Sequence, residues 1–169
     1  MEKIVVVNEK DEVVGFEDKE KCHQGKGILH RAFTIFIFDD KGRVLIQKRS
    51  KFKKLWPLCW ETSCSSYLKK DETYEESAEE RLKEELGLTL PLELVDKFQY
   101  QAPYKNIGSE NEVCALLIGR YTEGKIEPNP QEVADWQWLE VEELKKDMMH
   151  NPQNYAPWLE IALKRISKL

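Results

Sequence analysis

Apolar and polar positions fall into short runs that predict strands through most of the chain and helices mainly toward its end. A β-branched run over residues 4–7 and a second at Val13-Val14, joined through Asn8-Glu9-Lys10-Asp11, predict a hairpin, and a polar stretch over 17–27 follows. Residues 28–38 are apolar at odd and even positions alike, the pattern of a central strand covered on both faces. Asp39-Asp40-Lys41-Gly42 then turns the chain into another buried run at 44–47. The segment 50–58, with its lysines and Trp56-Pro57, predicts a loop. Residues 71–86 lack Gly and Pro and are rich in helix formers, so they predict a helix that Gly87 ends. Segments 92–102 and 112–121 alternate like paired strands across a loop with Pro103, Asn106 and Gly108. Beyond Pro128-Asn129-Pro130 come a last strand at 136–139 and helices at 141–149 and 155–169. Strands followed by scattered helices, with no internal repeat, predict an α+β fold in which a mixed β-sheet is sandwiched between α-helices.

Composition narrows the function classes. A chain of 169 residues with 41% apolar and 34% charged residues fits one domain over 1–169 with a sizeable core, and excludes disorder as its main content. Lys and Arg total 26 against 31 Asp and Glu, a net charge of -5, so no uniformly basic face advertises nucleic acid. An anionic ligand must therefore be held by a local cluster. The four cysteines, Cys22, Cys59, Cys64 and Cys114, form no C-x-x-C pair, and the opening Met1-Glu2-Lys3 is unlike a signal peptide; a cytoplasmic location is expected. The longest apolar stretch, 32–38, is interrupted by Thr34 and is far shorter than the roughly 20 residues that cross a bilayer, so no membrane segment is expected.

Several groups of residues have chemical potential. Eight carboxylates lie between Asp71 and Glu85, and Glu84-Glu85 fall at the helix end, where the macrodipole disfavours anions. A divalent cation would offset that arrangement; a solvated acidic face is the alternative. Glu110 and Glu112, two apart in a strand, point to one spot, where paired carboxylates can bind metal or separate each other's pKa values for proton transfer, unless they merely decorate an edge strand. His23 and His30 flank one loop, as ligands or as hydrogen-bonded structural histidines, whereas His150 carries no comparable hint. Cys64, among small polar residues, is either a reactive thiol or a buried cysteine.

Together these segments resemble the Nudix superfamily and, within it, the type 1 isopentenyl-diphosphate isomerases, along nearly the whole chain. The box G-x5-E-x7-R-E-U-x-E-E-x-G-U lies on 66–88 in degenerate form: Ser66 replaces the first Gly, Glu72 matches, Glu80-Arg81 stands where Arg-Glu is usual, and Leu82, Glu84, Glu85, Gly87 and Leu88 fit. Outside the box, Lys19, His23 and His30 resemble the isomerases' amino-terminal metal-binding segment, Glu110-Asn111-Glu112-Val113-Cys114 their signature, and Tyr155-Ala156-Pro157-Trp158 the segment whose tryptophan lines the hydrocarbon pocket. The resemblance implies a small-molecule diphosphate substrate contacted by Lys19, Arg49, Lys53 and Arg81. It also implies magnesium at Glu85 with Glu84 beside it in the box, and a second divalent metal, Mn2+ or Zn2+, at His23, His30, Glu110 and Glu112. By the same resemblance, Glu112 takes the place of the proton-transferring glutamate, Tyr100 would assist it by hydrogen bonding, and Trp158 would face a cationic carbon. Arg81, where Nudix hydrolases have a box glutamate, subtracts a metal ligand and adds a bidentate phosphate donor.

The departures fall at the reactive position. Counting from Trp60, the family's catalytic cysteine falls on Ser65 and its third metal histidine on Tyr67, which leaves a phenol oxygen or water for the fifth metal place. Cys64 is one residue out of phase, and neighbours on an extended segment face opposite ways. An alcohol is far harder to deprotonate than a thiol, so isomerase activity is expected to be impaired. Two other readings stay open: a Nudix hydrolase of an organic diphosphate, favoured by Glu72, Glu84 and Glu85, and a non-catalytic module that binds a diphosphate or metal.

Overall fold

Strand β3 (His30–Phe38) is buried on both faces, and the two cores of the molecule form on either side of it in the computed structural model, which describes residues 2–168. Phe33, Ile35 and Ile37 enter one core and Phe36 the other. Before β3 come the hairpin β1 (Lys3–Val7) and β2 (Val13–Asp18) and a one-turn helix α1 (Lys19–Cys22). After it come β4 (Val44–Arg49), β5 (Trp60–Glu61), β6 (Cys64–Tyr67), helix α2 (Tyr74–Leu86), the hairpin β7 (Leu92–Tyr104) and β8 (Gly108–Arg120), and β9 (Val133–Leu139). Helix α3 (Val141–His150), a 3-10 turn at Pro152–Asn154 and helix α4 (Pro157–Ile166) complete the chain.

β8 runs parallel to β3 along its whole length, while the other edge of β3 is shared by antiparallel β1, β6 and β4. The buried residues Ala78, Leu82 and Leu86 of α2 pack into the core of Phe33, and Trp158, Leu159 and Ala162 of α4 into that of Phe36. Helices thus cover both faces of a mixed sheet, the α+β sandwich expected from the strand and helix pattern.

Local chemistry sets the boundaries. Helix α2 starts at Tyr74, three residues later than its composition suggests, because Thr73 caps it: the Thr73 side chain accepts from the Glu76 amide and the Glu76 carboxylate accepts from the Thr73 amide. Gly87, at φ 69°, ends it. The polar stretch 17–27 contains the end of β2 and α1, and the loop expected after 102 shrinks to the turn 105–107 because β7 and β8 extend to meet it. The last helix begins at Pro157 rather than 155, since Ala156 is extended and Pro157 suits a first turn. Met1 and Leu169, the ends of the expected 1–169 domain and of that helix, lie outside the described residues. Among the described residues, no helix is long and apolar enough to cross a membrane.

Candidate active site

Three pieces of chain meet at the start of β3. His30 opens that strand opposite Glu112 of β8, Glu110 lies two residues earlier on the same face, and His23 arrives from the loop after α1. One ligand atom from each of His23, His30, Glu110 and Glu112 lies within 4.8 Å of all the others. The loop is clamped to β8 by the Ser109 amide donating to the His23 carbonyl at 3.0 Å and the Asn111 amide group donating to the Gly27 carbonyl at 3.1 Å. Two glycines permit this approach. A Cβ at Gly108 would stand 2.4 Å from the His23 carbonyl oxygen, and one at Gly27, whose φ is 79°, would stand 3.1–3.2 Å from Asn111 and the Ser109 carbonyl.

Each imidazole has its Nδ1 against a backbone carbonyl, His23 on Lys19 at 2.7 Å and His30 on Ile28 at 2.8 Å. That partner selects the Nδ1–H tautomer and turns the Nε2 lone pair to the carboxylates, the usual support of a metal-ligating histidine. His23 Nε2 is 3.1 Å from Glu110 and His30 Nε2 3.7 Å from Glu112. The His30 Nε2 is buried without a hydrogen-bond partner, an atom that a cation would satisfy. Two imidazoles and two carboxylates form a donor set that fits a divalent transition metal.

The two glutamates are electrostatically unequal. Burial works against the charge of Glu110, but in the metal-free protein Glu110 raises the His23 pKa against burial, and the hydrogen bond and charge of the protonated His23 hold the carboxyl at about 2. Burial and the neighbouring charge of Glu110 drive Glu112 well above the usual carboxylate range. The Tyr100 hydroxyl donates to Glu112 at 2.9 Å, and burial keeps that phenol protonated.

This cluster opens into a cavity of about 470 Å³. Lys19, Lys53 and Arg81 line it, as do Tyr100 and Trp158. Partial burial and repulsion from Lys53 and Arg81 lower the Lys19 pKa, as expected where cations gather. Lys53 and Arg81 both pair with Glu132, Arg81 at 2.9 Å. Arg49 also lines the cavity, 5.2 Å above the Trp158 ring; it donates to Glu61 at 2.9 Å and to the carbonyls of Leu55 and Trp56.

Where the resemblance implied the reactive position, strand alternation separates Ser65 from Cys64. Ser65, paired across from Thr34, lines the cavity, and its hydroxyl closes a ring with Thr34 (2.7 Å) and Thr62 (2.8 Å), which are 2.6 Å from each other. Cys64 faces the opposite core, where its thiol donates to Glu85 at 2.7 Å; burial and that carboxylate keep it protonated. Of the two expectations for Cys64, the structure has the buried cysteine, on the side of the strand away from the cavity. Three expected metal residues stand outside the four-residue cluster. Tyr67 lines the cavity, but its hydroxyl reaches past to donate to Glu2. Glu84 is half-exposed on Arg81, and Glu85 is buried among Cys64, Arg81 and Lys53.

Sequence reasoning missed Thr34, Thr62, Glu61 and Glu132. Thr34 left a signal, a lone hydroxyl inside an apolar strand, and Glu61 a fainter one beside Trp60. Glu132 left none, because its partners Lys53 and Arg81 are remote in the chain.

A mixed sheet between helices, with a carboxylate-rich capped helix beside a cation-lined cavity, defines the class, and a NUDIX domain model matches residues 28–159: the chain belongs to the Nudix family. Within it, the chain is 36% identical over 169 residues to a Haloarcula marismortui protein named isopentenyl-diphosphate Delta-isomerase, covering 97% of this chain and 90% of that one. A second relative, isopentenyl-diphosphate Delta-isomerase 1 of Aromatoleum aromaticum, is also 36% identical, over 98% of this chain and 92% of its own. The fold is similar to a crystal structure of a Deinococcus radiodurans protein (TM-score 0.77, 22% identity, 96% and 98% of the two chains) and to an Ap4A hydrolase of C. elegans (TM-score 0.59, 16% identity, 82% and 95%).

Proposed function

We propose that this chain, acting as one Nudix domain, is a metal-dependent isopentenyl-diphosphate isomerase that works slowly. The observation that carries this reading is Glu112, a buried carboxyl that belongs at once to the His23–His30–Glu110 cluster and to a cavity with both cations and aromatic rings. Lys19, Arg49, Lys53 and Arg81 would bind the diphosphate, and Tyr100 and Trp158 would face the five-carbon unit.

The reaction adds a proton at C4 and removes one at C2, moving the double bond from C3–C4 to C2–C3. Glu112 is the group that moves a proton on its face of the alkene, oriented by Tyr100. Positive charge developing at C3 would be stabilised by the Trp158 ring, by about 2 kcal/mol or more in a desolvated site. His23, His30, Glu110 and Glu112 would hold a divalent metal, which when bound would supply fixed positive charge beside the carboxyls. Magnesium would accompany the diphosphate near Glu85.

The direct test is incubation with isopentenyl diphosphate, Mg2+ and either Mn2+ or Zn2+, following alkene composition by NMR and phosphate release together. The expected result is dimethylallyl diphosphate without free phosphate, abolished by chelation. Phosphate or monophosphate release would instead establish the hydrolase reading suggested by Glu72, Glu84 and Glu85, and binding without product a non-catalytic module.

Slowness follows from Ser65, whose hydroxyl is tied to Thr34 and Thr62 and is a far weaker acid than a thiol. Ser65→Cys is therefore expected to raise kcat by about tenfold or more. A folded Ser65→Cys variant that binds substrate yet gains nothing would remove Ser65 as the cause.

A further inference from the structure

We propose that Trp56 is the partition that limits the hydrocarbon length this site accepts, an inference that rests on reading the 470 Å³ cavity as a diphosphate site. Behind that cavity, between the β7–β8 turn, α3 and α4, lies an open cleft of about 1250 Å³ lined by Ala102, Tyr104, Met148, Tyr155 and Leu163. Trp56 lines the cleft. Its ring is 5.4 Å from that of Trp158, edge-on at 88°, and 5.0 Å from that of Tyr104. Trp158 belongs to the cavity and Tyr104 to the cleft, so one indole touches a ring of each, and we assign it as the wall between them.

The partition is held by its backbone. Trp56 has φ 48°, a left-handed conformation that a bulky residue adopts only where its surroundings enforce it. The enforcing group is Arg49, whose Nε donates to the Trp56 carbonyl at 3.1 Å and whose Nη2 donates to the Leu55 carbonyl at 2.9 Å. The same guanidinium lines the cavity, so the diphosphate end and the hydrocarbon limit share one anchor.

With the indole removed, the cavity and the cleft join. The ligand class this opens is a prenyl diphosphate of ten carbons, its head among Lys19, Lys53 and Arg81 and its tail along Tyr104, Met148 and Leu163. Each methylene taken from water adds to affinity, so the gain should be large once the path is open.

The test is calorimetric titration of the full chain with inorganic diphosphate and with geranyl diphosphate, in the presence of Mg2+. The wild-type protein is expected to bind geranyl diphosphate no more tightly than inorganic diphosphate. Trp56→Ala should bind geranyl diphosphate about tenfold or more tightly than wild type does, with inorganic diphosphate affinity unchanged, while Trp56→Phe keeps the wild-type preference. Trp56→Leu, which retains more packing, should show a smaller gain and serves if the alanine variant does not fold. The gate is overturned if neither shortened side chain improves geranyl diphosphate binding while inorganic diphosphate binds normally, or if the wild type already prefers the ten-carbon ligand. Failure of the wild type to bind inorganic diphosphate would overturn the diphosphate reading of the cavity, and the gate with it.

Discussion

Glu112→Gln is expected to lower kcat for isomerisation by about 10³-fold without unfolding the protein, since a positioned general acid or base contributes roughly 10²–10⁴-fold. The amide has the shape of the carboxyl, and its carbonyl oxygen can still accept from the Tyr100 hydroxyl that now donates to Glu112. What is lost is a proton that can leave and return. Stability should move the other way. Burial and the charge of Glu110 raise the Glu112 pKa, so the folded protein binds a proton there that the unfolded chain releases at a lower pH. In metal-free protein that linkage stabilises the fold at low pH and is lost as pH rises through the folded-state pKa. Removing the titrating group should therefore give a metal-free Tm equal to or above wild type at alkaline pH, measured by calorimetry across pH 5–9. Wild-type turnover in a folded Glu112→Gln variant would remove Glu112 from the reaction.

The parts of this site that were legible in the sequence are those whose geometry is local. The i, i+2 spacing of Glu110 and Glu112 fixes a shared face on any strand, and a run apolar at both parities, as in β3, has to be central. Ser65 and Cys64 were separable for the same reason, since one step along an extended segment reverses the side chain, and Thr34–Ser65 and Ile35–Cys64 are the pairs that result. Residues whose role depends on distant partners were not legible. Glu132 meets Lys53 and Arg81 only because the segment before β9 folds across α2 and the loop after β4. The phenol of Tyr67 finds Glu2, which is 65 residues away in sequence, and no spacing rule anticipates that contact. Strands β5 and β6 were hidden by their composition: Trp60–Glu61 is too short for a period, and Cys64–Tyr67 is rich in serine. Their pairing with β4 and β3 decides the matter, as tertiary context commonly does in strands.

Arg49→Met is expected to be the most destabilising change at the site, by about 3–5 kcal/mol at neutral to alkaline pH, because it leaves Glu61 as an uncompensated charge that is only 1% exposed. For a chain of this size that corresponds to a Tm lower by roughly 10 °C. The pH dependence identifies the cause. Even with Arg49 present, burial outweighs its charge and pushes Glu61 up to about 7. A folded-state pKa above the unfolded value near 4.5 means stability falls as pH rises between the two, and without Arg49 the fall should extend to higher pH. The Arg49→Met protein should thus lie closer to wild-type stability near pH 5 than at pH 8, by about 1.4 kcal/mol, the linkage of one proton over the unit above the wild-type pKa. Adding Glu61→Gln removes the stranded charge and should restore most of the stability at pH 8, leaving a protein whose melting changes little with pH over this interval. Diphosphate affinity should not return with it, because the guanidinium that lines the cavity is still absent. Calorimetric melting and diphosphate titration of the single and double variants separate the two roles of Arg49. A double variant no more stable than Arg49→Met at pH 8 would show that the lost stability comes from the released Leu55 and Trp56 carbonyls rather than from Glu61.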